Sequence, residues 1–400
     1  MTALDADEAS ALARKGEERR ALGVASGAHV VHDGYTDVIY VMLPVWQAEF
    51  GLGFAALGLM KTVFSGTLAA FQIPAGFLAE RWGAPLVLAI GTALAGLGYC
   101  LAGLSHGVPM LVAALFIGGL GASTQHPLAS TLIASAFSGA RSRTALGAYN
   151  FAGDIGKMTM PAAAALLLVV LPWREALAVL GAVGVLAAVI IYVAMPRFRE
   201  EAEAPRKAEP VRGGGRARAY GFPLLLSIGV IDSATRMAFL TFLPFVLTAK
   251  GASLPTIGFA LTLVFAGGAA GKLVCAYIGA RIGTVATVWL TEGVTAIGIV
   301  ALLPLPLEAA LVLLPLVGIA LNGTSSVLYG SVPDLVPPAR RARAFGIFYT
   351  GTIGAGAISP ALYGLLGDAA GVTSALVAIA GVVLLTLPIT LLLRPALAEP

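Results

Sequence analysis

The chain has 400 residues, of which 58% are hydrophobic and only 12% charged, with a net charge of +4. A soluble domain carries roughly a quarter charged residues, so this composition, with a mean hydropathy of +0.90, excludes a water-soluble globule. The isoelectric point near 9.1 does not indicate nucleic-acid binding, because the cations fall in short loops between apolar runs of about 20 residues, the length of a membrane-crossing helix.

Residues 1–20, MTALDADEASALARKGEERR, carry early acids and no apolar core. They read as a cytoplasmic tail and not as a cleaved signal peptide. Six spans follow, at 22–46, 53–79, 84–104, 108–136, 143–171 and 174–195, and form an N-terminal bundle over 21–195. The stretch RFREEAEAPRKAEPVRGGGRARA gives a charged, Gly- and Pro-containing cytoplasmic linker at 196–219. Six more spans, at 221–249, 254–279, 284–304, 308–331, 343–367 and 371–393, form a C-terminal bundle over 220–394, and 395–400 is a short tail. The expected fold is all-α, with twelve transmembrane helices in two six-helix pseudo-repeats. Cys100 and Cys275 both fall inside spans, without metal-ligand neighbours, and read as core residues.

Cations are distributed unevenly between the loops. One side holds Arg14, Lys15, Arg19, Arg20, Arg81, Arg141, Arg143, seven cations of the linker, Arg281, Arg340, Arg341, Arg343 and Arg394; the other has only Arg174 and Lys250. By the positive-inside rule both termini and the linker are cytoplasmic. The halves also match in sequence at an offset of about 200 residues. AGFLAERWGA at 75–84 aligns with CAYIGARIGT at 275–284, and RSRTALGAYNFAGDIGKMTMP at 141–161 with RRARAFGIFYTGTIGAGAISP at 340–360. Parallel repeats around a midplane site are the architecture of alternating-access transporters.

An ionisable group inside a span is costly and commonly faces a cavity where it works. In the first span His29, His32, Asp33, Thr36, Asp37 and Tyr40 follow i, i+3, i+4 spacing and make one helical stripe. The stripe faces either a pore or a structural polar seam between helices. In the fourth span GGLGASTQHPLAS puts Ser123, His126 and Ser130 on one face, and Pro127 implies a kink or local opening at His126. In the fifth, NFAGDIGKMTMP stacks Asn150, Asp154 and Lys157, and Asp154 can pair with Lys157 at i, i+3. In the seventh, Asp232 and Arg236 lie one turn apart and align with Asp33 and Asp37 of the first, which suggests an ion pair across the cavity. The fork of Arg236 suits a carboxylate or phosphonate. Lys61, Lys272, Glu292 and Asn322 are embedded as well; the two lysines can snorkel or help close a gate.

The inner loop GFLAERWGA resembles the Gly-x-x-x-Asp-Arg-x-Gly signature of the major facilitator superfamily, with Glu80 in place of Asp. That resemblance implies a cytoplasmic latch made by Gly76, Glu80, Arg81 and Gly83, repeated at Arg281 where Ala280 replaces the acid. SGAHVVHDGYTDVIYVMLPVWQAEFGL, GLGASTQHPLAS and GDIGKMTMP together are similar to the fosmidomycin-resistance branch of bacterial efflux carriers. His29 with Asp33, His126 with Pro127, and a Gly-rich polar turn before Pro161 carry the likeness. This chain departs from the branch at His32, where Asn is usual, and at Asp154 and Lys157, where uncharged polar groups are usual.

The expected function is secondary active transport, with no catalysis and no cofactor. A proton-coupled antiporter in a bacterial inner membrane would export a small organic compound or drug, one with an anionic group matching Arg236. Asp33, His29, Asp154 and Asp37 are the candidate proton carriers. His32, Tyr40, His126, Asn150, Lys157, Asp232 and Arg236 are the candidate substrate contacts. The partners are the substrate, protons and lipid, with no nucleic acid, and a monomer suffices to form the pathway. An alternative uses His29, His32, Asp33 and His126 to carry a transition metal. An embedded enzyme lacks support, since there is no His-Glu-x-x-His, nucleophile elbow or phosphate loop, and a sensor would need an output domain.

Overall fold

The structure, a computed structural model, describes residues 3–137, 139–196, 216–337 and 340–397. Residues 197–215, most of the expected linker, and 398–400 of the expected tail lie outside the described residues, as does the side chain of Arg143. Every regular element is helical: α1 (Ala3–Phe50), α2 (Phe54–Trp82), α3 (Ala84–Gly103), α4 (Val108–Ala122), α5 (Gln125–Ala136), α6 (Gly139–Val170), α7 (Trp173–Ala194), α8 (Arg216–Ala249), α9 (Leu254–Leu302), α10 (Leu307–Leu335), α11 (Arg341–Val383) and α12 (Thr386–Leu393). In lipid a backbone must satisfy its own hydrogen bonds, and an unbroken helix does so.

Nine helical segments among the described residues are long and apolar enough to cross a membrane. Two of them, Leu254–Leu302 and Arg343–Ala396, contain a non-helical glycine, Gly283 at φ 79° and Gly371 at φ 85°. Divided there, and with the polar-striped α1 added, they make twelve crossings. Large apolar side chains such as Leu166, Val193, Leu273 and Val312 are exposed, as a lipid-facing surface requires.

The sequence repeat is also a repeat of backbone conformation. Gly51 (φ 63°) pairs with Gly251 (φ 87°), and Gly83 (φ 85°) with Gly283 (φ 79°). A residue with a Cβ resists this left-handed region, so glycine recurs where each half turns between spans. The two cations on the sparsely charged side do the same job in each half. Arg174 Nε donates to Ser105 O at 3.1 Å, just past the end of α3, and Lys250 Nζ donates to Leu303 O at 2.7 Å, just past the end of α9. Both satisfy carbonyls that a helix C-terminus leaves open.

Proline acts one turn earlier than its position suggests. Helix α4 ends at Ala122 and α5 begins at Gln125, so the break lies at Ser123 and Thr124 and not at His126. Pro127 has no N–H to offer the carbonyl of Ser123, which places the opening there.

The chain forms two compact units. One comprises Met1–Val38 and Val63–Glu203, the other Ile39–Thr62 and Ala204–Pro400. The expected division at the linker followed chain order; the segment 39–62, the end of α1 and the start of α2, departs from it by grouping with the second unit. In the first unit α3 packs on α7 and α4, and a core of Ala21, Leu88, Leu132, Ile133 and Tyr149 fills one end. In the second, α9 packs on α10 and α8 on α11. There the start of α2 lies against α11: Asp368 accepts from Phe54 N at 2.6 Å and from Ala55 N at 3.0 Å, and Thr62 Oγ1 donates to Ala357 O at 2.6 Å. A carboxylate on two free N–H groups of a helix N-terminus is a favourable cap.

Candidate proton and substrate site

In the first unit α1 and α6 cross at glycines. A Cβ on Gly156 would come within 2.1 Å of Val30 O, and one on Gly34 within 2.2 Å of Met160 Cγ. Small residues let membrane helices approach this closely. Gly153 has a further consequence: a Cβ there would fall 2.7 Å from both Asp33 Oδ2 and His29 Nε2. Its bare backbone leaves the space in which the polar cluster sits.

Asp33 is the hub of that cluster. Its Oδ1 lies 3.3 Å from His29 Nε2 and 3.6 Å from His126 Nε2, and its Oδ2 lies 3.2 Å from Lys157 Nζ. The carboxylate itself is buried, whereas the side chains of His126 and Lys157 are 46% and 32% exposed. These two are the more accessible members of the cluster. Lys157 therefore pairs along α1–α6, not only along its own helix as i, i+3 spacing suggested. Asp154 is buried, and both it and Asp37 act electrostatically on Lys157.

His29 is fixed by a second contact. Its Nδ1 lies 2.8 Å from Tyr149 O, and its ring stacks on Tyr149 at 4.0 Å. A backbone carbonyl only accepts, so Nδ1 carries the hydrogen. A neutral His29 then presents a lone pair at Nε2, and Nε2 faces a carboxylate oxygen. At 3.3 Å from Asp33 Oδ1, Nε2 has no hydrogen-bond partner.

The remaining stripe residues go to different places. His32 is buried and its Nε2 lies 2.8 Å from Thr92 Oγ1 on α3, which in turn donates to Leu88 O at 2.8 Å. Asn150 is exposed, one position along α6 from the buried Tyr149. Tyr40 belongs to the second unit; its hydroxyl donates to Met237 Sδ at 3.3 Å, and the buried Lys61 lies 4.3 Å from its ring centroid. That cation–π contact gives Lys61 a place in the apolar interior. Tyr149, Thr92 and Gly153 were not singled out from the sequence. An Ala-like or aromatic position in an apolar helix carries no mark of its tertiary partner.

In the second unit Asp232 is buried and Arg236 lies beside it on α8. Arg236 Nη1 donates to Ser325 Oγ on α10 at 3.5 Å. The contacts the structure gives Asp33 come from His29, His126 and Lys157 of its own unit. In the last turn of α2, Glu80 and Arg81 are exposed, and neither pairs with a charged group among the described residues. Gly76 has open space where a Cβ would stand, Gly83 takes the left-handed turn, and Arg281 lies 4.3 Å from the Tyr277 ring. Cys100 and Cys275 are free thiols.

His29, Asp33 and His126 could also hold a metal ion, since their ligand atoms lie within 4.8 Å of one another. Two imidazoles and a carboxylate suit a transition metal. Lys157, 3.2 Å from the same carboxylate, places a competing cation there.

A family model described as Major Facilitator Superfamily matches residues 26–231 and 225–400. The probable L-galactonate transporter of Escherichia coli (strain K12) is 26% identical over 265 residues, 62% of this chain and 56% of that one, so the chain spans just over half its length. The fosmidomycin resistance protein of the same organism is 25% identical over 355 residues, covering 87% of this chain and 86% of that protein. Among solved structures, a bacterial homolog of the human lysosomal transporter Spinster, in an inward-facing and occupied conformation, superposes with a TM-score of 0.79 at 16% identity over 95% of this chain and 98% of that one; at that identity the likeness concerns the fold.

Proposed function

The chain belongs to the major facilitator superfamily and is a multi-pass membrane transporter of small molecules, and on that premise we propose that it is a proton-coupled antiporter that exports a small organic compound with an anionic group. The observation that carries this reading is the buried Asp33 carboxylate facing His29 Nε2 at 3.3 Å while Nδ1 of the same ring is committed to Tyr149 O. Buried carboxylates and histidines are the usual parts of intramembrane proton relays.

Exchange follows from competition. A proton on Asp33 removes an acceptor and a negative charge from the cluster. A solute that donates hydrogen bonds to the ionised carboxylate displaces that proton. His126 and Lys157, the more accessible members, are assigned to first contact with the solute; Arg236 is the candidate in the second unit for an anionic group, with Asp232 beside it. Asn150, Tyr40 and His32 are assigned to the shape of the pathway, and Asp37 and Asp154 to the charge balance around Lys157. The termini are assigned to the cytoplasm of a bacterial inner membrane, with the loops at Gly76–Gly83 and Arg281 closing that side in part of the cycle.

Two named relatives guide the choice of solutes, one through L-galactonate and one through fosmidomycin resistance. In proteoliposomes carrying the purified protein, an imposed proton gradient is expected to drive at least one of these two compounds against the direction of proton flow. Movement of solute with the protons would contradict antiport, and indifference to the gradient would contradict coupling.

The triad of His29, Asp33 and His126 supports a second reading, transport of a divalent transition metal. Titration of zinc into the purified protein separates the two: micromolar binding lost in His126→Ala favours the metal, and its absence removes that reading.

A further inference from the structure

The second unit holds a carboxyl pair to which the reading above gives no proton. Asp232 on α8 is 3% exposed and Glu292 on α9 is 1% exposed, and the two buried carboxyl groups lie against each other. An ionised carboxyl group is an acceptor only. Two carboxylates in contact, away from water, do not both ionise; one proton bridges them.

The surroundings agree with that count. Arg236, one turn beyond Asp232, is the cation that acts on both acids. From α10, Thr324 touches Glu292, Ser325 accepts from Arg236, and Tyr329 feels the arginine's charge. From α11, Tyr349 lies against Tyr329 at 4.5 Å between ring centroids. One arginine balances one negative charge. With one proton between the acids the cluster is neutral, and without it a net negative charge remains in a span, where uncompensated charge is strongly disfavoured. Glu292 Oε1 has no hydrogen-bond partner, as fits a carboxyl group with one uncommitted oxygen.

We propose that Asp232 and Glu292 form a second proton-binding site, in which one proton is shared by the two carboxyl groups and Arg236 balances the charge that remains. When that proton leaves, Arg236 is drawn fully to the two carboxylates; while it stays, the guanidinium has donor capacity left for an anion. The site differs from the Asp33 cluster in residues and in unit, and it does not depend on coupling at Asp33.

Infrared spectroscopy of the full-length protein in lipid tests this by protonation alone, with no transport assay. At neutral pH the wild type should show a deuterium-sensitive carboxylic-acid C=O band. Asp232→Asn and Glu292→Gln should each remove one carboxylic group's worth of that band, because the new amide donates to the surviving carboxylate. The double variant should lose no more than either single one. Glu292→Asp, which keeps both acids, should retain the band. An unchanged band in the single variants, or twice the loss in the double variant, would overturn the shared proton. Either single variant suffices if the other does not fold.

Discussion

At Asp33 both carboxylate oxygens are engaged, Oδ2 by Lys157 and Oδ1 by the two imidazoles. Removing Lys157 leaves a buried carboxylate short of one charged donor, a change worth about 2 kcal/mol for hydrogen bonds of this kind. Lys157→Met is expected to lower the thermal midpoint of the detergent-solubilised protein by that order, whereas Asn150→Ala, at an exposed position, should stay within about 0.5 kcal/mol of the wild type. A midpoint unchanged in Lys157→Met would show that the ion pair does not hold the cluster. The stripe from His29 to Tyr40 was legible because helical periodicity alone places those residues on one side. Their partners were not. Sequence spacing offered Asp154 to Lys157, since it ranks neighbours along one helix and carries no information on how α1 crosses α6. His32 shows the same limit: its contact is Thr92 on α3, an ordinary threonine in an apolar run.

At the scale of elements, the α1–α6 crossing decides where the cluster can form. Gly156 and Gly147 lie on the same helix but differ in what a side chain would meet: Val30 O at 2.1 Å for the first, nothing within 4 Å for the second. Gly156→Leu is expected to cost more than about 4 kcal/mol or to abolish folding. Gly147→Ala should be neutral, or stabilising by up to about 1 kcal/mol, through better helix propensity. Size-exclusion profiles and melts of the two variants check this; a well-folded Gly156→Leu would contradict the close crossing. The sequence showed a glycine-rich turn here but could not rank its members. The opposite holds for the turns at Gly83 and Gly283. Their recurrence at matched places in the two halves already marked them, and their left-handed backbone explains why glycine recurs; the same backbone at Gly51 and Gly251 was not singled out from the sequence. The break before α5 was legible in kind and misplaced by a turn, because a missing N–H frees the carbonyl four residues earlier.

At the scale of the molecule, apolar run lengths, cation asymmetry and the repeat gave the helical membrane architecture before any coordinates, and the resemblance of GFLAERWGA to a known signature pointed to the superfamily. They did not give the grouping of residues 39–62 with the second half. A repeat read along the chain assigns segments by order, whereas compact units are set by contacts such as Asp368 on the first turn of α2. Nor does the architecture name a solute. What it does supply is a buried carboxylate with two imidazoles and a lysine against it, and the central claim is that this carboxylate couples proton flow to export. The most direct measurement is solute exchange by reconstituted Asp33→Asn, with and without an imposed pH gradient, using the compound that the wild type moves. Asparagine keeps the size but cannot release a proton. The account predicts that the response to the gradient disappears, while any gradient-independent exchange that remains is insensitive to pH. Exchange that is still driven by the gradient as strongly as in the wild type would contradict it.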